Sequence, residues 1–196
     1  MGLTAQSVKA DAMKDLFDIV RTDSRHIIAL AGNPNTGKST VFNYLTGLKQ
    51  HTGNWPGKTV VSARGEYSWN DEEYIVVDLP GSYSLFTSSK DEEVARDFIC
   101  YGDYDAVVVV ADATCLERNL NLVFQISEIT NKIILCINLI DEAKKKNIVI
   151  DKEGLEKELN IPVVLTAARN GTGMNELKNL IENVTFGKDE KTPSII

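Results

Sequence analysis

The segment GNPNTGKST, residues 32–40, constrains the fold of this chain more than any other stretch. It fits the pattern G-x-x-x-x-G-K-[ST] and lies between an apolar run at 27–31 and a helical pattern at 38–47, the strand–loop–helix context of a phosphate-binding loop. Glycines let backbone N–H groups turn inward, and the helix N-terminus adds the positive end of its dipole. We therefore predict that phosphate groups bind here. The predicted ligands are Gly32, Asn33, Pro34, Asn35, Thr36, Gly37, Lys38, Ser39 and Thr40.

Two side chains of this loop have predicted roles of their own. Lys38 is expected to reach the β- and γ-phosphates of a nucleotide, and Ser39 Oγ is expected to ligate Mg²⁺. The alternative is a glycine-rich turn that binds nothing. The strand pattern before the loop and the helical pattern after it favour the phosphate-binding interpretation.

Strand and helix patterns alternate along most of the chain, which predicts an α/β fold. Strand patterns lie at 26–31, 59–67, 73–79, 105–111, 132–138 and 162–166. Helical patterns lie at 7–20, 38–47, 91–100, 118–130, 151–159 and 173–184. The strand patterns at 59–67 and 73–79 predict an antiparallel hairpin. The aliphatic runs at 105–111 and 132–138 are typical of parallel strands covered on both faces. We predict a six-stranded, mostly parallel sheet with one antiparallel edge strand and helices on both faces.

Composition and charge exclude several classes of protein. Of 196 residues, 43% are hydrophobic and 25% charged, as expected for one globular cytosolic domain. The net charge of −7 argues against a broad nucleic-acid-binding face. The longest apolar run, 106–111, is far shorter than the roughly 20 residues of a membrane-spanning helix, so we expect no insertion into a membrane. Cys100, Cys115 and Cys136 show no CxxC spacing and are expected to be buried or inert thiols.

The segment DLPG at 78–81 ends a strand pattern with a carboxylate and a glycine. An Asp at a strand end beside the phosphate-binding loop can hold Mg²⁺ through water, and the Gly81 N–H can bond a γ-phosphate. The alternative is an ordinary turn, since Asp, Pro and Gly mark turns in general. Its position forty residues after Lys38, at the next parallel strand, favours a role for Asp78 in metal binding.

Two later segments are suited to reading a purine base. NLID at 138–141 ends a buried strand pattern, and the Asp141 carboxylate can accept from the N1–H and 2-amino groups of guanine, two donors that adenine lacks. The alternative is that Asn138 and Asp141 cap the next helix. TAAR at 166–169 follows the last strand pattern and could direct a backbone N–H to guanine O6. The predicted base-contacting residues are Asn138, Leu139, Asp141, Thr166, Ala167 and Ala168.

In order and spacing, these four segments look like the guanine-nucleotide-binding fold of the Ras-like GTPases. Three stretches further resemble the bacterial ferrous iron transport protein B (FeoB) family: GNWPGKT at 53–59, DLPGSYSL at 78–85 and DATCLERNL at 112–120. The resemblance extends over residues 26–184, which it identifies as a GTPase domain. Residues 1–25 are then a lead-in with an amphipathic helix, and 185–196 a linker or tail.

The resemblance implies how Mg²⁺ is held. Thr59 would complete the metal shell with Ser39 and Asp78, and the 53–59 loop would become ordered only when GTP is bound. The residues implied to act in catalysis are Asn35, Lys38, Thr59 and Gly81.

The resemblance also implies K⁺ as an activator. Ras-like enzymes position the attacking water with a Gln directly after D-x-x-G, where this chain has Ser82, a side chain too short for that task. The family instead places K⁺ against the phosphates, held by the side-chain oxygen of Asn35 and by carbonyls here belonging to Gly53 and Trp55. We therefore expect slow intrinsic hydrolysis that K⁺ stimulates.

The implied function is GTP binding and hydrolysis that regulates ferrous iron uptake, on the cytoplasmic side of the bacterial inner membrane. The implied partners are GTP and GDP, the permease part of the same full-length protein, and small accessory iron-transport proteins. The family's helical spacer and permease are absent from this chain, which is expected to be an excised cytosolic domain.

Leu139 and Ala167 stand where many GTPases have Lys and Ser, so we expect modest nucleotide affinity and fast release. A ribosome-assembly GTPase of the same fold is the alternative, which the acidic charge and the Trp-Pro-Gly loop disfavour.

Overall fold

The computed structural model describes residues 25–47, 50–54, 61–86 and 89–187. The strands in this part of the chain are β1 (Arg25–Gly32), β2 (Gln50–Asn54), β3 (Val61–Trp69), β4 (Glu72–Asp78), β5 (Ala106–Asp112), β6 (Ile133–Asn138) and β7 (Val163–Leu165). The helices are α1 (Lys38–Thr46), α2 (Lys90–Tyr101), α3 (Leu116–Ser127), α4 (Ile140–Lys145), α5 (Lys152–Leu159) and α6 (Met174–Thr185). A short 3₁₀ helix, Ala168–Asn170, precedes α6.

The strands form one sheet in the order β2-β3-β4-β1-β5-β6-β7. β1 lies at its centre and pairs in parallel with β4 and β5, and the parallel pairing continues through β6 to β7. β3 is antiparallel to both β2 and β4. The predicted mostly parallel sheet with helices and one antiparallel hairpin is therefore confirmed.

The structure adds one strand and one helix to the predicted set. β2, with the sequence QHTGN, lacks alternating apolar residues, and its backbone nevertheless pairs with β3. Two antiparallel strands, β2 and β3, therefore lie at this end of the sheet, where the sequence predicts one. α4 is a six-residue helix that buries only Ala143, too little apolar periodicity to predict it. The helix predicted at 118–130 spans Leu116–Ser127.

Both faces of the sheet are covered by helices, and the period-two alternation of β1 shows how the core divides. Ile27 and Ala29 point to the face covered by α2, α3, α4 and α5. There they share one core with the helix residues Phe98 and Leu122. The other face is covered by α1 and α6. Its core contains Ile28, Leu30, Val41, Phe42, Leu45, Met174, Leu177 and Ile181.

The parallel strands bring the predicted site residues to one edge of the sheet. Strands β1, β4, β5 and β6 end at Gly32, Asp78, Asp112 and Asn138, and the pairing places Leu30 beside Asp78 and Asp112 beside Asn138. The carboxyl ends of parallel strands are the usual place for a ligand in an open α/β sheet. The loops that follow these strands therefore form the candidate site.

Some predictions concern residues outside the described part of the chain. These are the helix at 7–20, the Mg²⁺ ligand Thr59, the K⁺ ligand Trp55 and the end of the tail beyond Gly187. The domain boundaries at 25/26 and 184/185 likewise stay predictions. Among the described residues, no helix is both long enough and apolar enough to span a bilayer.

The described cysteines form no disulfide. Cys136 is buried in β6, and burial raises the pKa of its thiol to about 12. Cys100 and Cys115 are exposed, so of the two expected states, buried or inert, only an inert thiol is left for these two. Burial of part of the Cys115 side chain, followed by the nearby Asp112 carboxylate, still raises the pKa of its thiol, which keeps it protonated.

Candidate nucleotide-binding site

The 32–40 loop connects the end of β1 to the start of α1 and has a fixed backbone shape. Thr36 Oγ1 donates to the carbonyl oxygen of Asn33 at 3.0 Å, which closes the turn. Gly37 adopts a left-handed conformation (φ 78°), and a Cβ at this position would overlap the side-chain nitrogen of Asn138. Only glycine fits here without strain. Contacts within the protein are therefore enough to define the shape of this loop.

Lys38, the first residue of α1, contacts the segment after β4. Its Nζ donates to the Asp78 carboxylate and, at 2.7 Å, to the carbonyl oxygen of Leu79. The Lys38 and Asp78 side chains are only 11% and 15% exposed. Burial raises the pKa of Asp78, and the Lys38 charge and hydrogen bond lower it in part. The structure thus brings together two residues whose predicted ligands differ, phosphate for one and Mg²⁺ for the other.

The 79–82 segment lies against the phosphate-binding loop. The Leu79 N–H donates to the Leu30 carbonyl at 3.0 Å, and the Ser82 N–H donates to the Gly32 carbonyl at 3.2 Å. Gly81 is exposed, and a Cβ built on it would lie 3.4 Å from the Pro34 ring. Gly81 therefore lies directly beside the 32–40 loop, and its contact with a γ-phosphate stays a prediction.

Asn138 joins the phosphate-binding loop to the 166–171 loop. Its Nδ2 donates to the Thr36 carbonyl at 3.1 Å. Its Oδ1 accepts from Thr166 Oγ1 at 3.1 Å and from the Ala168 N–H at 3.0 Å. The Asn138 side chain is buried, so all three bonds form away from water. One amide thus fixes the distance between the two loops.

The helix-capping alternative does not describe Asn138. The N-cap of α4 is Leu139, in a left-handed conformation (φ 64°), and no side chain caps this helix. Asp141 lies in the first turn of α4, half-buried. Ala167 and Ala168 are buried, and the Ala168 N–H that could face a base bonds Asn138 in this structure.

The residues predicted to hold cations differ in how far the structure describes them. Asn35, Ser39 and Thr40 are exposed at the mouth of the loop, and Asn35 is left-handed (φ 67°). The Ser39 hydroxyl and the Asp78 carboxylate are oxygen ligands of the kind that Mg²⁺ prefers, and both lie at this edge of the sheet. Gly53 lies in β2, described by its backbone. In the described ranges there is no cluster of three or more His, Cys, Asp or Glu residues suited to a metal ion.

Sequence reasoning missed the contacts that α3 makes with the segment after DLPG. Gln125 Oε1 accepts from the Leu85 N–H at 2.8 Å and from Ser84 Oγ at 3.2 Å. The Arg118 guanidinium lies 4.4 Å from the centre of the Tyr83 ring. Arg118 belongs to the DATCLERNL motif, so the motif could have indicated it. No sequence signal marks Gln125.

Comparisons with known proteins agree on one family. The family model described as "Ferrous iron transport protein B" matches residues 26–181. The Fe(2+) transporter FeoB of Escherichia coli K12 is 43% identical over 79% of this chain, which corresponds to 21% of that protein. The G domain of the T. maritima FeoB iron transporter is 46% identical and superimposes with a TM-score of 0.78, over 82% of this chain and 98% of that one.

A second solved structure extends the comparison to a nucleotide analogue. The cytosolic domain of T. maritima FeoB in its GMPPNP form is 44% identical, with a TM-score of 0.80, over 87% of this chain and 67% of that one. The present chain spans only about a fifth of the length of the curated transporters that it matches.

Proposed function

The chain belongs to the ferrous iron transport protein B family, and we propose that it is the GTP-binding and GTP-hydrolysing domain that regulates ferrous iron uptake. The observation that carries this proposal is the Asn138 amide, which ties the phosphate-binding loop to the 166–171 loop. This tie would set the distance between the proposed phosphate site and the proposed base site. Asp141, in the first turn of α4, would read guanine through its carboxylate. The T. maritima relative in its GMPPNP form supports a guanine nucleotide as the ligand.

The proposed roles at the phosphate end follow from charge and position. Lys38 and the N-terminus of α1 would neutralise the β- and γ-phosphates, and the exposed Gly81 would donate its N–H to the γ-phosphate. Ser39 and Asp78 would hold Mg²⁺, with Thr59 completing the shell. When bound, Mg²⁺ neutralises charge between the two terminal phosphates. Because Lys38 bonds Asp78 in the structure, we propose that Lys38 exchanges the carboxylate for phosphate when the nucleotide binds.

The proposed hydrolysis is slow without a monovalent cation. Ser82 is buried and its N–H bonds the Gly32 carbonyl, so its short side chain is poorly placed to orient water. K⁺ bound by Asn35 and by the carbonyls of Gly53 and Trp55 would stabilise the charge that develops in the transition state. The exposed position of Asn35 at the loop mouth fits this role.

The proposal extends to the cellular setting. We place the domain on the cytoplasmic side of the bacterial inner membrane, joined to the permease part of a longer protein and served by small accessory iron-transport proteins. Its residues 1–25 and 185–196 would flank the GTPase domain at 26–184. The family match favours this setting over ribosome assembly. Iron is the cargo of the whole transporter, and we assign it no site in this domain.

The test is nucleotide titration followed by turnover. A fluorescent GDP analogue is titrated in Mg²⁺ buffer, and unlabelled GDP, GTP and ATP compete for it. We expect GDP and GTP to displace the probe and ATP to fail at large excess, because sites that leave buried polar groups unpaired discriminate by roughly 10⁴–10⁵. Phosphate release from GTP is then followed. Equal competition by ATP, or no GTP turnover, contradicts the proposal.

A further inference from the structure

The phenol ring of Tyr44 lies against the 166–171 loop at Gly171. Tyr44 is in α1, the helix that starts with Lys38 and Ser39. A Cβ built on Gly171 would lie 2.8 Å from Tyr44 Oη, 3.1 Å from Cε2 and 3.2 Å from Cζ. The edge of the ring therefore covers Gly171 closely, and no larger residue fits there unless the ring moves.

Gly171 is the closing residue of the turn that follows Ala168. The Asn170 N–H donates to the Ala167 carbonyl at 2.9 Å, and the Gly171 N–H donates to the Ala168 carbonyl at 3.2 Å. Gly171 is left-handed (φ 75°), which also favours glycine. A contact on Gly171 thus acts on Ala168 through the Gly171 hydrogen bond, and on Ala167 through the neighbouring Asn170.

The 166–171 loop is therefore held at two places. Asn138 bonds Thr166 and Ala168, as described above. Tyr44 contacts Gly171 and is 42% exposed, so its ring packs on the loop without belonging to the core. Loss of a half-exposed ring leaves no buried cavity, and its effect is expected to stay local to the loop it contacts.

We propose that Tyr44 is a positioning residue for guanine recognition: its ring fixes the 166–171 loop so that the Ala168 N–H can exchange its bond to Asn138 for one to O6 of the base. This inference rests on the proposed function. It makes α1 the element that connects both ends of the nucleotide, because its first turn faces the phosphates and Tyr44 supports the base-reading loop. Tyr44 itself does not touch the nucleotide.

The test separates the O6 contact from the rest of the base. 6-Thio-GDP keeps N1–H and the 2-amino group but presents the weaker acceptor sulfur at position 6, whereas IDP keeps O6 and lacks the 2-amino group. Kd values of GDP, 6-thio-GDP and IDP are measured for wild type, Tyr44→Ala and Tyr44→Phe. We expect wild type to prefer GDP over 6-thio-GDP by up to about tenfold, the size of one neutral hydrogen bond.

Tyr44→Ala should reduce this preference to nearly one while the GDP/IDP preference, which reports on Asp141, stays unchanged. Tyr44→Phe should keep both preferences, because the ring remains. Phe124→Ala, which removes an exposed aromatic side chain from α3, is the control and should change neither. Gly171→Ala should act like Tyr44→Ala, and in a Tyr44→Ala background it should cost less, since the ring no longer opposes the new methyl group.

An unchanged GDP/6-thio-GDP preference in Tyr44→Ala overturns the inference. So does an equal loss of both preferences, which would mean that Tyr44 merely supports the fold. A wild-type domain that binds no guanine nucleotide is a different result, because it overturns the proposed function itself together with everything built on it.

Discussion

The Lys38 ammonium group bonds two oxygens that belong to the same short segment, the Asp78 carboxylate and the Leu79 carbonyl. Both charged side chains are largely withdrawn from water, so neither is easily left without a partner. If a phosphate oxygen replaces the Asp78 carboxylate as the partner of Lys38, the carboxylate becomes free to bind Mg²⁺. A single exchange at Lys38 would in this way link phosphate binding to metal binding.

Lys38→Ala tests this exchange. The variant should lose nucleotide affinity by roughly 1.5–3 kcal/mol or more, because a charge-assisted contact to phosphate disappears. The pKa of Asp78 should rise further, since the Lys38 charge is what lowers it. The measurement is fluorescence titration with GDP, and the control is Lys157→Ala, an exposed lysine of α5. GDP binding as tight as in wild type would show that the 32–40 loop does not bind phosphate.

Asp141→Asn tests how the base is read. A carboxylate accepts from both N1–H and the 2-amino group of guanine, whereas the amide presents one donor that suits the 2-carbonyl of xanthine. The variant should therefore lose affinity for GDP and gain affinity for xanthosine diphosphate. Competition titrations of both nucleotides check this, with Glu142→Gln as the control one residue away. A variant that kept its preference for GDP would leave Asp141 with no part in base recognition.

At the residue level, the sequence predicts which residues gather at the site better than it predicts what they contact. Gly32, Lys38, Asp78 and Asn138 all lie at one edge of the sheet because motif spacing and strand order determine the ends of the strands. Their hydrogen bonds depend on side-chain directions that no spacing encodes. The three bonds of Asn138 and the pairing of Lys38 with Asp78 are therefore structural findings.

Among the elements, α3 fixes the segment that follows DLPG. Gln125 accepts two hydrogen bonds from residues 84–85, and Leu85 is buried in the core below. Arg118, in the first turn of the same helix, lies over the Tyr83 ring. Any rearrangement around Gly81 is thus confined to a few residues, because the chain is attached again at Ser84.

Gln125→Ala should release this attachment. The Leu85 N–H loses its acceptor, and we expect the domain to lose about 1 kcal/mol of unfolding free energy, as for an ordinary hydrogen bond. Urea denaturation measures this loss, and hydrogen exchange should become faster at Leu85. Asn121→Ala is the matched control, an exposed amide on the same helix. Equal stability and equal exchange in the two variants would mean that the Gln125 contact contributes nothing.

Elements with clear periodicity are the ones that sequence predicts. β5 and β6 are aliphatic throughout, and α3 and α6 each bury one stripe, so their existence follows from pattern alone. β2 carries no such pattern, and it forms because the backbone of β3 offers an edge for pairing. Pairing that depends on a neighbouring strand cannot be predicted from the five residues of β2 alone.

For the molecule as a whole, two stacked tyrosines add a pH dependence to stability. Tyr67 and Tyr74 pack with ring centres 4.9 Å apart, and neither hydroxyl has a hydrogen-bond partner among the described residues. Burial, followed by the Glu182 and Glu72 charges, raises the pKa of Tyr74 to about 12. Burial likewise raises the pKa of Tyr67. In the unfolded chain both ionise near pH 10.

Between pH 10 and 12 the unfolded chain therefore binds fewer protons than the folded one, and stability should fall as pH rises through this window. Tyr74→Phe should weaken that decline. At neutral pH it should cost little, because an unpaired hydroxyl is removed. Tyr104→Phe is the contrasting variant and should cost about 1 kcal/mol, since Tyr104 Oη donates to the Ile99 carbonyl at 2.7 Å. Urea unfolding of the wild type and of both variants, at pH 7 and at pH 11, measures these free energies of unfolding. If the free energy of unfolding fell equally with pH in wild type and in Tyr74→Phe, the prediction would be contradicted.

Turnover of GTP tests the proposed K⁺ site in the complete domain. We expect faster hydrolysis in K⁺ than in Na⁺ at equal ionic strength, because a bound K⁺ would neutralise charge between the β- and γ-phosphates. Asn35→Ala should abolish the difference and leave GDP affinity largely intact. Asn35 is left-handed, where alanine is strained, so Asn35→Gly is the control that removes the side-chain oxygen without strain. Loss of stimulation in both variants would assign the effect to the oxygen, whereas loss in Asn35→Ala alone would assign it to loop shape. Equal rates of the wild type in the two salts would exclude a K⁺-dependent mechanism.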